Sequence, residues 1–89
     1  MYRVDLTPRA ARELDRVPTA YFDRIDRAIA SLADEPRPTG VTKLHGPIHR
    51  LRVGRWRVIY AVFDRDRFVV VGKVARRAED TYDDVAGLF

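Results

Sequence analysis

The stretch Arg50-Leu51-Arg52-Val53-Gly54-Arg55-Trp56-Arg57-Val58-Ile59-Tyr60 decides how this chain folds. Apolar and basic residues alternate on both sides of Gly54-Arg55, which is the period of a half-buried strand. A Gly-X pair between two such runs is the two-residue loop of a tight hairpin. With that loop, Val53 opposes Trp56, Arg52 opposes Arg57, Leu51 opposes Val58 and Arg50 opposes Ile59. Alternation then sends His49, Leu51, Val53, Trp56, Val58, Tyr60 and Val62 to one face. Ile48, Arg50, Arg52, Arg57, Ile59, Ala61 and Phe63 go to the other. The first set is apolar enough to be a helix-packed core. The second has three arginines at one end and apolar residues at the other.

Working outward, Phe68–Val74 returns as a further strand after a short turn at 64–67. With Phe63 opposite Phe68, it adds Val70, Gly72 and Val74 to the arginine face. Upstream, Pro36, Pro38, Gly40, Gly46 and Pro47 make residues 35–47 the main irregular connection. Before it, Phe22, Ile25, Ile29 and Leu32 recur at spacings of three and four, the apolar stripe of a helix that Thr19 can cap. A shorter helix runs from Thr7-Pro8 to about Arg16, stopped by Val17-Pro18. Tyr2–Leu6 alternates as a strand. The order β-α-α-β-β-β predicts an α+β domain over residues 1–89, an N-terminal strand and αα-hairpin packed on one face of an antiparallel sheet. The last residues, 78–89, read as a helical turn or docked coil, with Tyr82, Val85 and Leu88 spaced for one apolar edge.

Composition excludes several classes. There is no cysteine among the 89 residues, so disulfides, thiolate metal sites and a Cys nucleophile are absent. Two histidines without suitably spaced partners make no metal site. No apolar run approaches the length of a membrane span, and Met1–Asp5 lacks the apolar core of a signal peptide, so a cytoplasmic location is expected. Charge is more telling. Residues 43–77 hold ten basic and two acidic side chains, residues 1–42 are balanced at seven each, and residues 78–89 hold four acids. Fifteen of the 17 basic residues are arginine, whose planar fork suits phosphate.

Like charges facing each other across a ladder are destabilising. Arg52 opposite Arg57, with Arg50 alongside, therefore makes sense if an anion sits among them. Fork donors converging on one point suit a phosphate and the added charge of a phosphoryl transition state. The alternative is a solvated face whose arginine stems cover apolar neighbours. Arg76-Arg77 emerge on the strand beside Arg57. Tyr82 beyond them is placed to transfer a proton, stack a base or anchor the tail. His49 falls on the core face and reads as a packed histidine. His45 lies near Lys43 in the Pro/Gly connection with nothing to fix it, and parity puts Trp56 in the core.

Three segments resemble the RelE/ParE toxin superfamily of type II toxin–antitoxin modules. They are Lys43-Leu44-His45-Gly46, then Arg50–Tyr60, then Val74-Ala75-Arg76-Arg77-Ala78-Glu79-Asp80-Thr81-Tyr82. The likeness runs over nearly the whole chain. It implies the fold just derived and, for RelE-like members, cleavage of ribosome-bound mRNA without cofactor or metal. In that reaction the 2′-OH attacks the adjacent phosphate, leaving a cyclic phosphate and a 5′-hydroxyl. By the resemblance Arg57 matches the central active-site arginine, Arg77 the arginine of the closing motif, Arg50 a frequent lysine and Tyr82 the terminal tyrosine. Lys43, Arg52, Arg55 and Arg76 are the accompanying RNA-binding candidates. Ile48 stands where a second lysine is common, and Arg76 replaces a common histidine. Because guanidinium stays protonated, Tyr82 is the one proton-transfer candidate. The implied partners are a cognate acidic antitoxin, the ribosome and mRNA, with no membrane. ParE-like members share the scaffold but poison DNA gyrase by binding it, which is the alternative. A plain RNA-binding module is a third reading, resting on charge alone.

Overall fold

The computed structural model describes residues 1–77 and 87–89; Tyr82 and Val85 lie outside the described residues. Five strands form one sheet: β1 (Arg3–Leu6), β2 (Thr42–His45), β3 (Ile48–Val53), β4 (Trp56–Phe63) and β5 (Phe68–Arg76), in spatial order β1-β5-β4-β3-β2. The deciding hairpin has the expected register, from Val53 opposite Trp56 to Arg50 opposite Ile59, and continues to Ile48 opposite Ala61. Gly54 takes φ +58°, and Arg55 is not among the positive-φ residues. Only the first central position thus needs a glycine, as a Gly-X loop requires.

Helices α1 (Pro8–Asp15) and α2 (Thr19–Ser31) cover one face. Thr7 Oγ1 accepts from the Ala10 amide at 3.1 Å, capping α1 as its position suggests. Thr19 does not cap α2. Pro18 occupies that position, without a side-chain bond, and its carbonyl accepts from the Tyr21 and Phe22 amides. Ile25, Ile29 and Leu32 are buried against Val58, Tyr60, Val62, Val69 and Val71, with Phe22, Leu51, Val53 and Trp56 packed around them. The stripe that forms the helix is therefore also what joins it to the sheet.

Three expectations need correction. The connection at 35–47 contains β2, an edge strand on β3, joined to it through Gly46-Pro47. Gly46 has φ +52°, so this is a second Gly-X loop, overlooked because β2 is short and its pairing is tertiary. The antiparallel sheet stands as expected for β2–β5, but the N-terminal strand β1 joins it parallel to β5. Third, the β4–β5 ladder slips by one residue between Tyr60–Val71 and Ile59–Lys73, leaving Gly72 as the extra residue of a bulge. The slip reverses parity beyond it. Val74, expected on the arginine face, enters the helix-side core, and buried Lys73 takes its place.

The glycine at the bulge has a reason in the packing. A Cβ on Gly72 would lie 2.8 Å from the Phe89 ring and 3.0 Å from Leu88 Cβ. Only glycine lets the chain end lie down there. Leu88 also packs on Ile48 and Ile59, together with Leu44 of β2. The apolar half of the arginine face is thus a second small core, while the helices themselves cover only the other face, as expected. On the other side of β5, past the end of β1, the Val74 amide donates to Glu13 Oε1 at 2.9 Å.

Candidate functional site

Arg50, Arg52 and Arg57 share the sheet face opposite the helices, because the hairpin register puts Arg52 across from Arg57 and Arg50 two residues along β3. Their environments differ. Arg57 is only 4% exposed. Its Nη1 donates to the carbonyls of Gly54 and Trp56, both at 2.9 Å, so the side chain folds back onto the turn that precedes it. Its Nε is buried without a hydrogen-bond partner. Arg57 was expected on an open surface; instead it is buried.

Arg50 is half-buried and donates from Nη2 to Thr42 Oγ1 at 2.9 Å, a bond that exists because β2 pairs Thr42 with Arg50. Arg52 is exposed. Thr39, Gly40, Thr42, Arg50, Leu51 and Arg52 line an open groove of about 460 Å³ along the β2–β3 edge. The groove brings Arg50 and Arg52 together, while Arg57 is held apart at the turn.

The remaining candidates divide between the two faces. Arg77 donates its amide to the Arg55 carbonyl at 2.8 Å, carrying the ladder one step beyond Arg76. Since Arg57 pairs with Ala75, alternation gives Arg77 the face of Arg57 and turns Arg76 to the helix side, with its partner Trp56. Two neighbours in the chain are thus sent to opposite faces. Lys43 pairs with His49 and so belongs to the helix-side parity, away from Arg50 and Arg52. Arg55 is exposed at the turn itself, and Tyr82 lies outside the described residues.

His49 is the packed histidine that parity predicts. It is 3% exposed, stacks on Tyr60 at 5.6 Å, and its Nδ1 donates to the Pro47 carbonyl at 2.7 Å. Burial pushes its pKa down, which keeps the ring neutral. A neutral, enclosed imidazole is part of the core. Among the described residues no group of three His, Cys, Asp or Glu side chains is placed to hold a metal ion.

Chemically, the arginine face can bind and stabilise anionic oxygen. Arg52, Arg55 and Arg57 have no carboxylate within ion-pair distance among the described residues. Sequence reading missed one further feature at this end of the sheet. Tyr21 and Arg24 of α2 meet Trp56 and Arg76 around a pocket of about 380 Å³ on the helix side. No local signal marks it, because α2 and the hairpin are about thirty residues apart in the chain.

Comparison with known proteins gives this geometry a context. Residues 4–81 match the family model described as the ParE toxin of the type II toxin–antitoxin system, parDE. The toxin in the archaeal RelE–RelB complex from Pyrococcus horikoshii is 30% identical, with a TM-score of 0.79 over 88% of this chain and 97% of that one. The RelBE2 toxin–antitoxin complex of Mycobacterium tuberculosis gives 27% identity and a TM-score of 0.73, over 88% of this chain and 93% of that one. The isolated E. coli RelE toxin, at 19% identity, covers both chains fully with a TM-score of 0.76, a likeness of fold alone.

Proposed function

This chain belongs to the RelE/ParE superfamily of toxins of type II toxin–antitoxin systems, and from that premise we propose that it is a ribosome-dependent mRNA endoribonuclease. The observation that carries the reading is Arg57, a buried guanidinium with an unpaired Nε on the face that also bears Arg50 and Arg52. A buried charge without a counter-ion is costly unless a ligand supplies one. A phosphate passing to a phosphorane gains negative charge, and fixed donors in a water-poor setting stabilise that gain. The 2′-oxygen attacks phosphorus and the P–O5′ bond breaks. The proton lost from the 2′-OH and the one gained by the 5′-oxygen pass through acid–base groups, of which Tyr82 is the candidate. Arg57 and Arg77 serve the reacting phosphate, Arg50 the neighbouring oxygen. Arg52, Arg55, Arg76 and Lys43 bind flanking RNA.

A second reading has its own support, since the matching family model is that of a ParE toxin. In that case the same face binds DNA gyrase and no bond is cut. Incubating the purified protein with ribosome-bound mRNA, and separately with gyrase and relaxed plasmid, decides between them. Cleavage with intact supercoiling is the expected result; blocked supercoiling without cleavage overturns it.

A toxin has to be held inactive, and we infer an acidic antitoxin as partner, as the Pyrococcus and Mycobacterium relatives were solved in complex with theirs. Its carboxylates would pair with arginines among Arg50, Arg52, Arg57, Arg76 and Arg77. Opposite-charge steering makes the association rate fall as salt rises. A rate unchanged between low and physiological salt would rule out electrostatic masking.

A further inference from the structure

We propose that the pocket between α2 and the β3–β4 turn is a nucleobase-stacking subsite for single-stranded RNA, on the helix side of the sheet and separate from the arginine face. Its walls are aromatic and its rim is basic. Trp56 shares the parity of the core residues yet stays half-buried, with its ring 6.3 Å from that of Tyr21 at a tilt of 46°. Tyr21 is 46% exposed, a large ring left at the surface of a helix whose other large apolar residues, Phe22, Ile25 and Ile29, face the core. Arg24, Arg55 and Arg76 complete the lining with Pro18 and Gly54, and no carboxylate contributes among the described residues. Arg24 is held over the turn, its guanidinium nitrogens 3.8 Å from where a Gly54 Cβ would stand.

Aromatic rings beside guanidinium groups are the donor set for a base and its phosphate. Stacking accepts any base, and the arginines take the backbone. At about 380 Å³ the pocket lies within the range of small-ligand sites. Position adds a further argument, which rests on the ribonuclease reading. Gly54 and Trp56, which line the pocket, are the residues whose carbonyls hold Arg57. The pocket and Arg57 thus lie on opposite sides of one two-residue turn. An RNA strand rounding the hairpin tip would reach both, one nucleotide stacked while another lies at the arginine face.

Trp56 is the only tryptophan in the chain, so its fluorescence reports from one wall of this pocket. Titration with a six-nucleotide oligoriboadenylate should quench it saturably, whereas inorganic polyphosphate of matched charge should not. Tyr21→Ala, which loses a base–aromatic contact, and Arg24→Ala, which loses a charge-assisted phosphate contact, should each weaken the quenching titration about tenfold or more. Arg65→Ala, an exposed arginine in the distant β4–β5 turn, should change it less than about threefold. A melting curve for each variant confirms that it folds. Absence of quenching, equal quenching by polyphosphate, or tighter binding of a glutamate-rich peptide than of RNA overturns the proposal, the last making the pocket a protein contact. Quenching without mRNA cleavage would sink the ribonuclease reading and leave the pocket standing. Cleavage without quenching would do the reverse.

Discussion

The two ends of the sheet treat arginine in opposite ways. At the β4–β5 turn, Arg37 forks onto Asp64 with bonds of 3.0 and 2.8 Å, and the Tyr2 hydroxyl donates to the same carboxylate at 2.6 Å. Those hydrogen bonds, from Arg37 first and Tyr2 second, hold the Asp64 pKa down at about 2. The N-terminus, the Pro-rich connection and the turn are thereby tied at one point. At the β3–β4 turn, Arg57 is held by carbonyls, which orient a guanidinium without neutralising it. Arg24, Arg52 and Arg55 beside it also lack an ion pair among the described residues. Exposed pairs contribute little to stability, but they consume charge. Arginine is structural at one end, and at the other its charge remains available to a ligand.

Substitutions at the two ends should therefore fail in different assays. The largest effect is expected from Arg57→Ala, which should lower mRNA cleavage about 10²–10³-fold, or 3–4 kcal/mol of transition-state stabilisation. Its urea midpoint should move little, because the lost carbonyl contacts are offset by removing a buried charge with an unpaired Nε. Full growth arrest by this variant would erase the distinction between the ends.

Tyr60→Phe should do the opposite. The hydroxyl donates to the Pro36 carbonyl at 2.7 Å, and its loss should cost about 1–2 kcal/mol in urea unfolding with cleavage unchanged. Burial pushes the Tyr60 pKa up to about 12. An unfolded tyrosine ionises near pH 10, so this contribution is complete below pH 10 and is lost as pH rises through about 12. Alkaline melts should show that limb in the wild type and not in the variant.

Smaller still is Gly72→Ala, midway between the ends. Phe89 closes the chain and can swing aside, so the cost should be about 1 kcal/mol, at the low end of overpacking. Removing Phe89 in the same protein should recover part of it; two fully additive losses would mean that the ring does not rest on Gly72. The smallest effect belongs to Asp64. Its pKa is depressed, so its contribution holds above pH 3.8 and is lost as pH falls through about 2. Acid titration of Asp64→Asn should lack that component, and cleavage at neutral pH should be unaffected. Loss of toxicity in this variant would bring the paired end into the functional site.

By itself, the sequence determined whatever depends on neighbours along the chain. Gly54-Arg55 specified the hairpin and its register, and from these followed the core face, the placement of His49 and the shared face of Arg50, Arg52 and Arg57. The period of α2 and the Thr7 cap were legible for the same reason, since capping and periodicity act within a turn or two. What only the tertiary structure decided arises between residues far apart. Phe89 rests on Gly72, the extra residue of the bulge that exchanges Val74 for Lys73. Edge pairing of Thr42 with Arg50 turns a loop into β2 and gives that arginine a partner. Arg57 looked like a surface residue because alternation tells which face a side chain takes but not what covers that face. Burial is a property of the assembled layers, so its isolated Nε became visible only after they were in place.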